Sequence, residues 1–167
     1  MKVPGPTHAL AAFLIAACAP KEAPLSAERA GAITDSVRTT LDAYRDRLNA
    51  TDRDSLVRFY DDDPRFTLAA DGKIATHTVA QVRAEFDGLS SFKVWHIEYK
   101  NPVIVPLSPG LASVSAEYAM TLTDSAGKGP AFGGAMTLLW IHTRSGWKIL
   151  NGHSSSAPRA VPEARRP

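Results

Sequence analysis

The stretch GWKILNGHSSS (residues 146–156) decides which class of fold the chain adopts. Apolar and polar side chains alternate along it with a period of two, which is the pattern of a β-strand with one buried face. On one face of this strand lie Trp147, Ile149, Asn151 and His153. Lys148 occupies the other face and belongs in water, so the face of Trp147 is predicted to point inward. His153 would then lie on the inner side, near the end of the strand.

Three further β-rich segments precede this strand, separated by turns rich in glycine, proline and serine. The four segments cover residues 92–105, 111–123, 131–143 and 147–155. Their short connections predict an antiparallel meander. Trp95 and Tyr118 lie in the apolar registers of their strands and are placed on the inner face. If Ser145 and Gly146 form a two-residue turn, Trp140 joins them, whereas a three-residue turn would invert that strand.

The chain before residue 91 is mainly helical by pattern. The predicted elements are a long helix over 27–50, a short helix over 56–60, a brief strand over 65–70 and a third helix over 79–89. Ser26 caps the first helix, and Thr78 with Gln81 forms a capping box for the third. Three helices grouped ahead of a run of strands predict an α+β domain over 26–156, with the helices packed on one face of the sheet.

Charge and composition exclude several functional classes. The 167 residues include 19 basic and 17 acidic side chains, and no basic cluster lies outside the tail over 157–167, so no nucleic-acid surface is predicted. That tail has too few apolar residues to order itself and is expected to be disordered. The histidines lack metal-ligand spacing, and the aspartates at 61–63 are interpreted as a solvated turn, so no metal is predicted. No cofactor is predicted either, and Gly133 and Gly134 are interpreted as a strand bulge or bend.

The N-terminus has the pattern of a signal peptide over residues 1–17. Lys2 precedes an uninterrupted apolar run that ends directly before Cys18. The segment Ile15 to Cys18 resembles a bacterial lipobox, which implies cleavage before Cys18 and lipidation of its side chain. The alternative is a cysteine that occurs by chance in an apolar signal region. We therefore expect a lipidated tether over 18–25 and a membrane anchor in a bacterial cell envelope, facing the periplasm or the exterior.

The order of these elements matches a known superfamily. The residues that carry the match are Leu56 to Tyr60, the aspartates at 61–63, Phe66, the Asp71-Gly72 turn, residues 146–149, His153 and Ser155. Together they resemble the nuclear transport factor 2-like (NTF2-like) superfamily, which includes SnoaL-like polyketide cyclases and ketosteroid isomerase. The resemblance covers residues 27–156 and implies a cone-shaped fold, with a curved sheet around the helices and a pocket at its open end. It also implies dimers that pair through the outer face of the sheet.

The comparison with ketosteroid isomerase disfavours that enzyme's reaction. The position of its catalytic aspartate corresponds to Leu68, which cannot accept a proton. Asp71 lies three residues further on, in a turn that is predicted to be exposed. Enolising a steroid needs an inward carboxylate as base, so no convincing catalytic set is predicted.

The residues expected to bind a ligand are Tyr60, Phe66, Trp95, Tyr118, Trp140, Asn151 and His153. His153 is also the one catalytic candidate, because neutral imidazole offers one donor and one acceptor near physiological pH. The alternative is a histidine that hydrogen-bonds a neighbour at the pocket rim and never meets a ligand.

The functional expectation is a secreted, lipid-anchored domain that binds a small, mostly apolar ligand or a partner in its conical pocket. One alternative is an isomerase, cyclase or lyase in which His153 transfers a proton. The other is a dimeric interaction module. These three functions remain open at the level of the sequence.

Overall fold

The computed structural model describes residues 24–156. The predicted signal peptide over 1–17, the lipidation site Cys18 and the tail over 157–167 lie outside the described residues. Within the described part, no helix is both long and apolar enough to cross a bilayer.

Three α-helices form close to the predicted positions. They are α1 (Ala27–Asn49), α2 (Arg53–Leu56) and α3 (Val79–Gly88). The Ser26 side chain accepts the backbone N–H of Arg29 at 3.3 Å and so caps α1. The predicted short helix is a single α-turn that continues as a 3-10 turn over Val57–Phe59. The capping box of Thr78 and Gln81 at the start of α3 is confirmed.

One six-stranded sheet contains the four strands of the predicted meander and two further strands. Its strands are β1 (Thr67–Ala70), β2 (Lys73–Thr76), β3 (Phe92–Ser108), β4 (Leu111–Asp124), β5 (Ala131–Thr143) and β6 (Gly146–Ser156). The order across the sheet is β2-β1-β6-β5-β4-β3. The antiparallel meander predicted for the last four strands is confirmed, but β1 runs parallel to β6, so the sheet as a whole is mixed and not antiparallel throughout. The β1–β2 hairpin also precedes α3, so the helices are not all grouped ahead of the strands.

The core lies between the helices and the inner face of the sheet. From α1 the buried side chains are Ile33, Val37, Leu41, Tyr44 and Leu48. They meet strand residues that include Trp95, Trp140 and Ile149, each at most 1% exposed. The helical stripe and these strand residues are therefore buried as their periods predict.

The turn between β5 and β6 fixes the register of both strands. Thr143 pairs with Gly146, so the loop between them has two residues, Arg144 and Ser145. This length gives the inner register predicted for a two-residue turn, and Trp140 is buried accordingly.

A β-bulge interrupts the alternation of β6. Trp140 pairs with Ile149, but the preceding residue on β5, Leu139, pairs with Asn151. Leu150 is therefore an extra residue on β6 with no counterpart on β5. A bulge of one residue shifts the alternation of the rest of the strand by one position.

This shift decides which side chains of β6 point inward. Trp147, before the bulge, is buried as predicted. Beyond the bulge, Gly152 and Ser154 pair with buried residues of β5 and line the inner face, whereas Asn151 and His153 are exposed. The predicted inward orientation of Asn151 and His153 is therefore wrong. The physical reason is that the bulge arises from pairing with β5 and leaves no mark on the local pattern of β6.

The paired glycines of β5 do not form the predicted bulge. Gly133 and Gly134 pair with β4 without a register shift. A β-carbon on Gly134 would lie 1.8 Å from the carbonyl oxygen of Ser155, and one on Gly133 would lie 2.7 Å from that of Tyr118. Glycine is needed here because the neighbouring backbones approach closely.

Candidate functional site

A cavity of about 330 Å³ opens between α3, the β1–β2 hairpin and the inner face of the sheet. Its size falls within the range of small-molecule sites. The larger apolar side chains that line it are Leu48, Leu68, Phe86, Leu89, Ile97, Met120, Phe132, Met136 and Leu138. The polar ones are Tyr44, Tyr60, Thr76, Glu85, Tyr99, Tyr118, His153 and Ser154. The cavity is therefore apolar over most of its wall, with a few polar groups.

Two tyrosine hydroxyls meet in this cavity. The oxygens of Tyr44, on α1, and Tyr60, which follows the 3-10 turn, lie 2.5 Å apart. Neighbouring rings hold both side chains: Tyr44 packs edge-on against Phe59 with 5.3 Å between ring centroids, and Tyr60 packs against Phe66 at 5.9 Å. The hydroxyl pair thus sits on rings that are fixed by packing.

Burial keeps these hydroxyls protonated. Loss of solvation raises the pKa of Tyr44 to about 12, and burial followed by the proximity of Tyr44 raises the pKa of Tyr60 well above its usual value. Burial also raises the pKa of Tyr99, which pairs with Tyr118 across β3 and β4. At neutral pH the cavity therefore offers phenol groups that can both donate and accept hydrogen bonds.

A carboxylate also reaches the cavity. The hydroxyl of Thr76, on β2, is fully buried and donates a hydrogen bond to Glu85 on α3. Burial is the main cause of both raised pKa values; the hydrogen bond with Tyr60 lowers the pKa of Tyr44, and the negative charge of Glu85 raises the pKa of both tyrosines. This carboxylate therefore acts electrostatically on the tyrosine pair.

Neither Glu85 nor Thr76 is among the residues predicted from the sequence. Thr76 lies on β2, where three of the four residues are exposed and no alternation marks a strand. Glu85 does carry a signal: it lies three residues after the buried Val82 and directly before Phe86, beside the apolar stripe of α3. The carboxylate that reaches the cavity therefore comes from a helix, and Glu85 itself is exposed at the open side of that cavity.

The predicted ligand-binding residues separate into two groups. Those that line the cavity are Tyr60, Tyr118 and His153. Phe66, Trp95 and Trp140 are buried behind the wall instead. Trp95 packs against Phe86 with 5.9 Å between centroids, and Trp140 packs edge-on to Tyr44 at 6.4 Å. Both tryptophans therefore support residues that line the cavity, and neither indole N–H has a partner among the described residues.

His153 lies at the rim of the cavity with an exposed side chain. It pairs with Thr137 on β5 and with Ala69 on β1, on the outer face of the sheet. Asn151 is exposed on the same face and does not line the cavity. Proton transfer by His153 stays a prediction.

The two positions taken from the isomerase comparison have structural roles. Leu68 forms part of the cavity wall. Asp71 is exposed, as predicted, and its carboxylate accepts the backbone N–H of Ser156 at 2.7 Å and the hydroxyl of the same residue at 3.2 Å. Asp71 thus fixes the end of β6.

No three His, Cys, Asp or Glu side chains within residues 24–156 are grouped so as to hold a metal ion. In the acidic segment, Asp63 accepts bonds from the guanidinium and the backbone N–H of Arg65, each at 2.8 Å. These contacts lower the pKa of Asp63 to about 2. Its carboxylate is therefore engaged within a local turn.

No family model and no curated protein matches this sequence. Solved structures share its architecture. An NTF2-like protein of unknown function from Shewanella oneidensis MR-1 is 22% identical, with 74% of this chain and 98% of that chain covered and a TM-score of 0.64. A candidate scytalone dehydratase from Novosphingobium aromaticivorans is 11% identical, with 80% and 89% covered and a TM-score of 0.70.

A candidate dehydratase of the NTF2-like family from Streptomyces avermitilis is 12% identical, with 77% of this chain and 99% of that chain covered and a TM-score of 0.67. Such similarities show that this chain has the NTF2-like fold, and the fold that the resemblance implies is confirmed. At these identities they show the fold alone.

Proposed function

We propose that this chain is a ligand-binding domain whose cavity holds one small, mostly apolar molecule with a polar group at one end. The observation that carries the proposal is the hydroxyl pair of Tyr44 and Tyr60 within an otherwise apolar wall. Ligand sites commonly combine an apolar lining with a few placed polar groups that fix orientation. The tyrosine pair has that arrangement.

The apolar wall and the tyrosine pair contribute in different ways. Contact with side chains such as Ile97 and Met136 removes apolar ligand surface from water, which contributes about 25 cal/mol per Å². A hydrogen bond to the tyrosine pair adds only about 0.5–1.5 kcal/mol, because the ligand gives up a bond to water. The wall therefore supplies most of the affinity, and the hydroxyls select molecules with a matching polar end.

Native mass spectrometry of the purified chain tests this proposal. We expect an extra mass on the folded protein that disappears on denaturation. In Tyr60→Phe the affinity should fall roughly three- to tenfold, which corresponds to one lost hydrogen bond. Ser115→Ala is the matched control, since it removes a hydroxyl from the outer face, where Ser115 bonds Thr137 at 3.2 Å. A bare wild-type mass, or equal loss in both variants, would contradict the proposal.

A second candidate function is proton transfer on the bound molecule, favoured by the position of Glu85. The tyrosine pair would polarise a ligand carbonyl, and Glu85 would accept a proton from the adjacent carbon. His153, at the rim, is the other candidate base. The similarity to candidate dehydratases supports a reaction of this kind.

Hydrogen–deuterium exchange at the carbon beside the carbonyl of cyclohexanone, followed by NMR, tests this candidate. Glu85→Gln is expected to slow the catalysed exchange about 100-fold, which is typical for loss of a general base. Glu98→Gln removes an exposed carboxylate of β3 and should have no effect. Loss of exchange in His153→Ala but not in Glu85→Gln would assign the base to His153 instead.

We also propose that Cys18 carries lipid and holds the domain at a membrane of a bacterial cell envelope. The support is the sequence from Ile15 to Cys18 and the apolar run before it. A palmitate analogue supplied to expressing cells should label the wild type and not Cys18→Ser. Equal labelling of both proteins would contradict lipidation at this residue.

A further inference from the structure

We infer that the molecule held in the cavity is a cation: an apolar amine whose ammonium group lies between the carboxylate of Glu85 and the tyrosine rings. This inference rests on the proposed ligand-binding function and adds the charge of the ligand to it. It follows from the charged and aromatic groups that line the cavity.

The charges at the cavity are unbalanced. Glu85 is the one acidic side chain among the described lining residues, and no lysine or arginine is among them. Within residues 24–156 Glu85 forms no ion pair, and its hydrogen-bond partner is the neutral hydroxyl of Thr76. His153, the other titratable side chain besides the tyrosines, is exposed at the rim. Glu85 is itself exposed, so water screens part of its charge, but a carboxylate at the mouth of an apolar cavity still favours a positive ligand over a negative one.

One arginine influences the cavity from behind its wall. Burial is the main cause of the raised pKa of Tyr99, and the positive charge of Arg45 opposes it. The guanidinium of Arg45 contacts the carboxylates of Asp42 at 2.8 Å and Asp46 at 2.9 Å. Two carboxylates therefore balance its charge, which leaves Glu85 as the charged acidic side chain that lines the cavity.

Aromatic rings supply the second contribution to the attraction of a cation. The rings that line the cavity belong to Tyr44, Tyr60, Phe86, Tyr99, Tyr118 and Phe132. The face of an aromatic ring carries partial negative charge and attracts an ammonium group placed within about 6 Å of its centre. The phenol oxygens, which burial keeps protonated, also accept N–H hydrogen bonds. A neutral molecule of the same shape gains neither the ring attraction nor the contact with the Glu85 charge.

Three probes with one carbon cage and different charges test the inference on the full chain. They are 1-aminoadamantane, which is a cation at pH 7, neutral 1-adamantanol and anionic adamantane-1-carboxylate. Isothermal titration calorimetry at low salt should show the amine binding about tenfold more tightly than the alcohol, which is the size of a desolvated cation–π contact. The carboxylate should bind most weakly.

Glu85→Gln removes the charge and keeps an oxygen that can accept the Thr76 hydroxyl. We expect it to weaken amine binding roughly three- to fivefold, because Glu85 is exposed, and to change alcohol binding less than about twofold. Glu98→Gln, on the exposed part of β3, is the matched control and should change neither affinity. If Glu85→Gln does not fold, the wild type still gives a test: added salt should weaken binding of the amine and leave the alcohol unchanged.

The outcomes separate this inference from the proposed function. Equal affinities for the amine and the alcohol, or no salt dependence of amine binding, would overturn the cationic ligand and leave ligand binding intact. Failure of all three probes to bind would overturn the proposed function itself.

Discussion

On its inner face the sheet buries Trp95 and Trp140 almost completely, whereas on its outer face Val103, Val105 and Leu107 are 58%, 47% and 52% exposed. Both sets are apolar, and Trp95 lies on β3 together with the three exposed residues; the register shift between Lys100 and Val103 places them on opposite faces although all four have odd numbers. The difference teaches that alternation decides which side chains share a face, and that burial depends on what packs against that face. The helices cover the inner face, while no element within residues 24–156 covers this part of the outer one.

The largest expected contrast between the two faces is in stability. Trp140→Ala should lower the free energy of unfolding by about 3–5 kcal/mol, because it leaves a cavity in the core. Val105→Ala should change it by no more than about 0.5 kcal/mol, since that side chain is already half exposed. Urea unfolding followed by circular dichroism measures both values. Equal midpoints for the two variants would show that the faces do not differ as described.

High pH should destabilise the inner side of the sheet and leave the outer face unaffected, because all four tyrosines of the chain line the cavity on the inner side. The pKa of Tyr44 is about 12 in the folded protein against 10.0 normally, so between these values only the unfolded chain ionises. The stabilisation is complete below pH 10 and is lost as the pH rises towards 12, by up to about 3 kcal/mol. Unfolding measured across this range should decline less steeply in Tyr44→Phe. If stability declined equally steeply with pH in the wild type and in Tyr44→Phe, the result would contradict burial of the Tyr44 phenol.

The bulge that separates the two faces of β6 can be removed. Deleting Leu150 restores regular pairing while Gly152 stays inside and His153 stays outside, so we expect a loss of only about 2 kcal/mol for the buried leucine. Deleting Gly152 instead turns His153 inward, where even a β-carbon at position 152 lies 2.9 Å from Leu68 and Leu138. Denaturant midpoints rank the two variants, and a smaller loss from the Gly152 deletion would refute the described register.

The smallest expected change in folding stability accompanies a change in assembly. We propose that a second copy of the chain covers Val103, Val105 and Leu107, as the resemblance implies. Val105→Lys should then convert a dimer into a monomer at micromolar concentration, with a stability change within about 0.5 kcal/mol for the monomer. Ile74→Lys, at an exposed apolar site on β2 away from this patch, is the control. Sedimentation velocity distinguishes the states, and a monomeric wild type would refute the dimer.

Local periodicity explains which parts of the fold are predictable. All five apolar residues that mark the first helix are buried, because a helix repeats within a few residues and needs no knowledge of its partners. The same rule does not predict the site. It assigns Tyr44 to the core stripe and does not indicate that its hydroxyl contacts that of Tyr60. The pairing of these hydroxyls depends on tertiary packing.

The errors arise where one strand depends on another. The extra residue Leu150 exists only relative to the register of β5, so the sequence of β6 alone places Asn151 and His153 on the wrong face. β2 has no alternation of its own and is held by pairing with β1. Glu85 becomes a site residue only because α3 packs beside that hairpin. A local pattern contains none of these contacts.

The pairing of β1 with β6 has a consequence for the order of folding. Asp71 and Ser156, which close this pairing, are 85 positions apart in the chain. The cavity wall combines Tyr44 from the first helix with Gly152 from the last strand, so it is complete only after β6 has paired. Contacts between such distant residues carry a high entropy of loop closure and form slowly. Until β6 pairs, the apolar lining therefore stays open to water, and the site is the last feature of the domain to form.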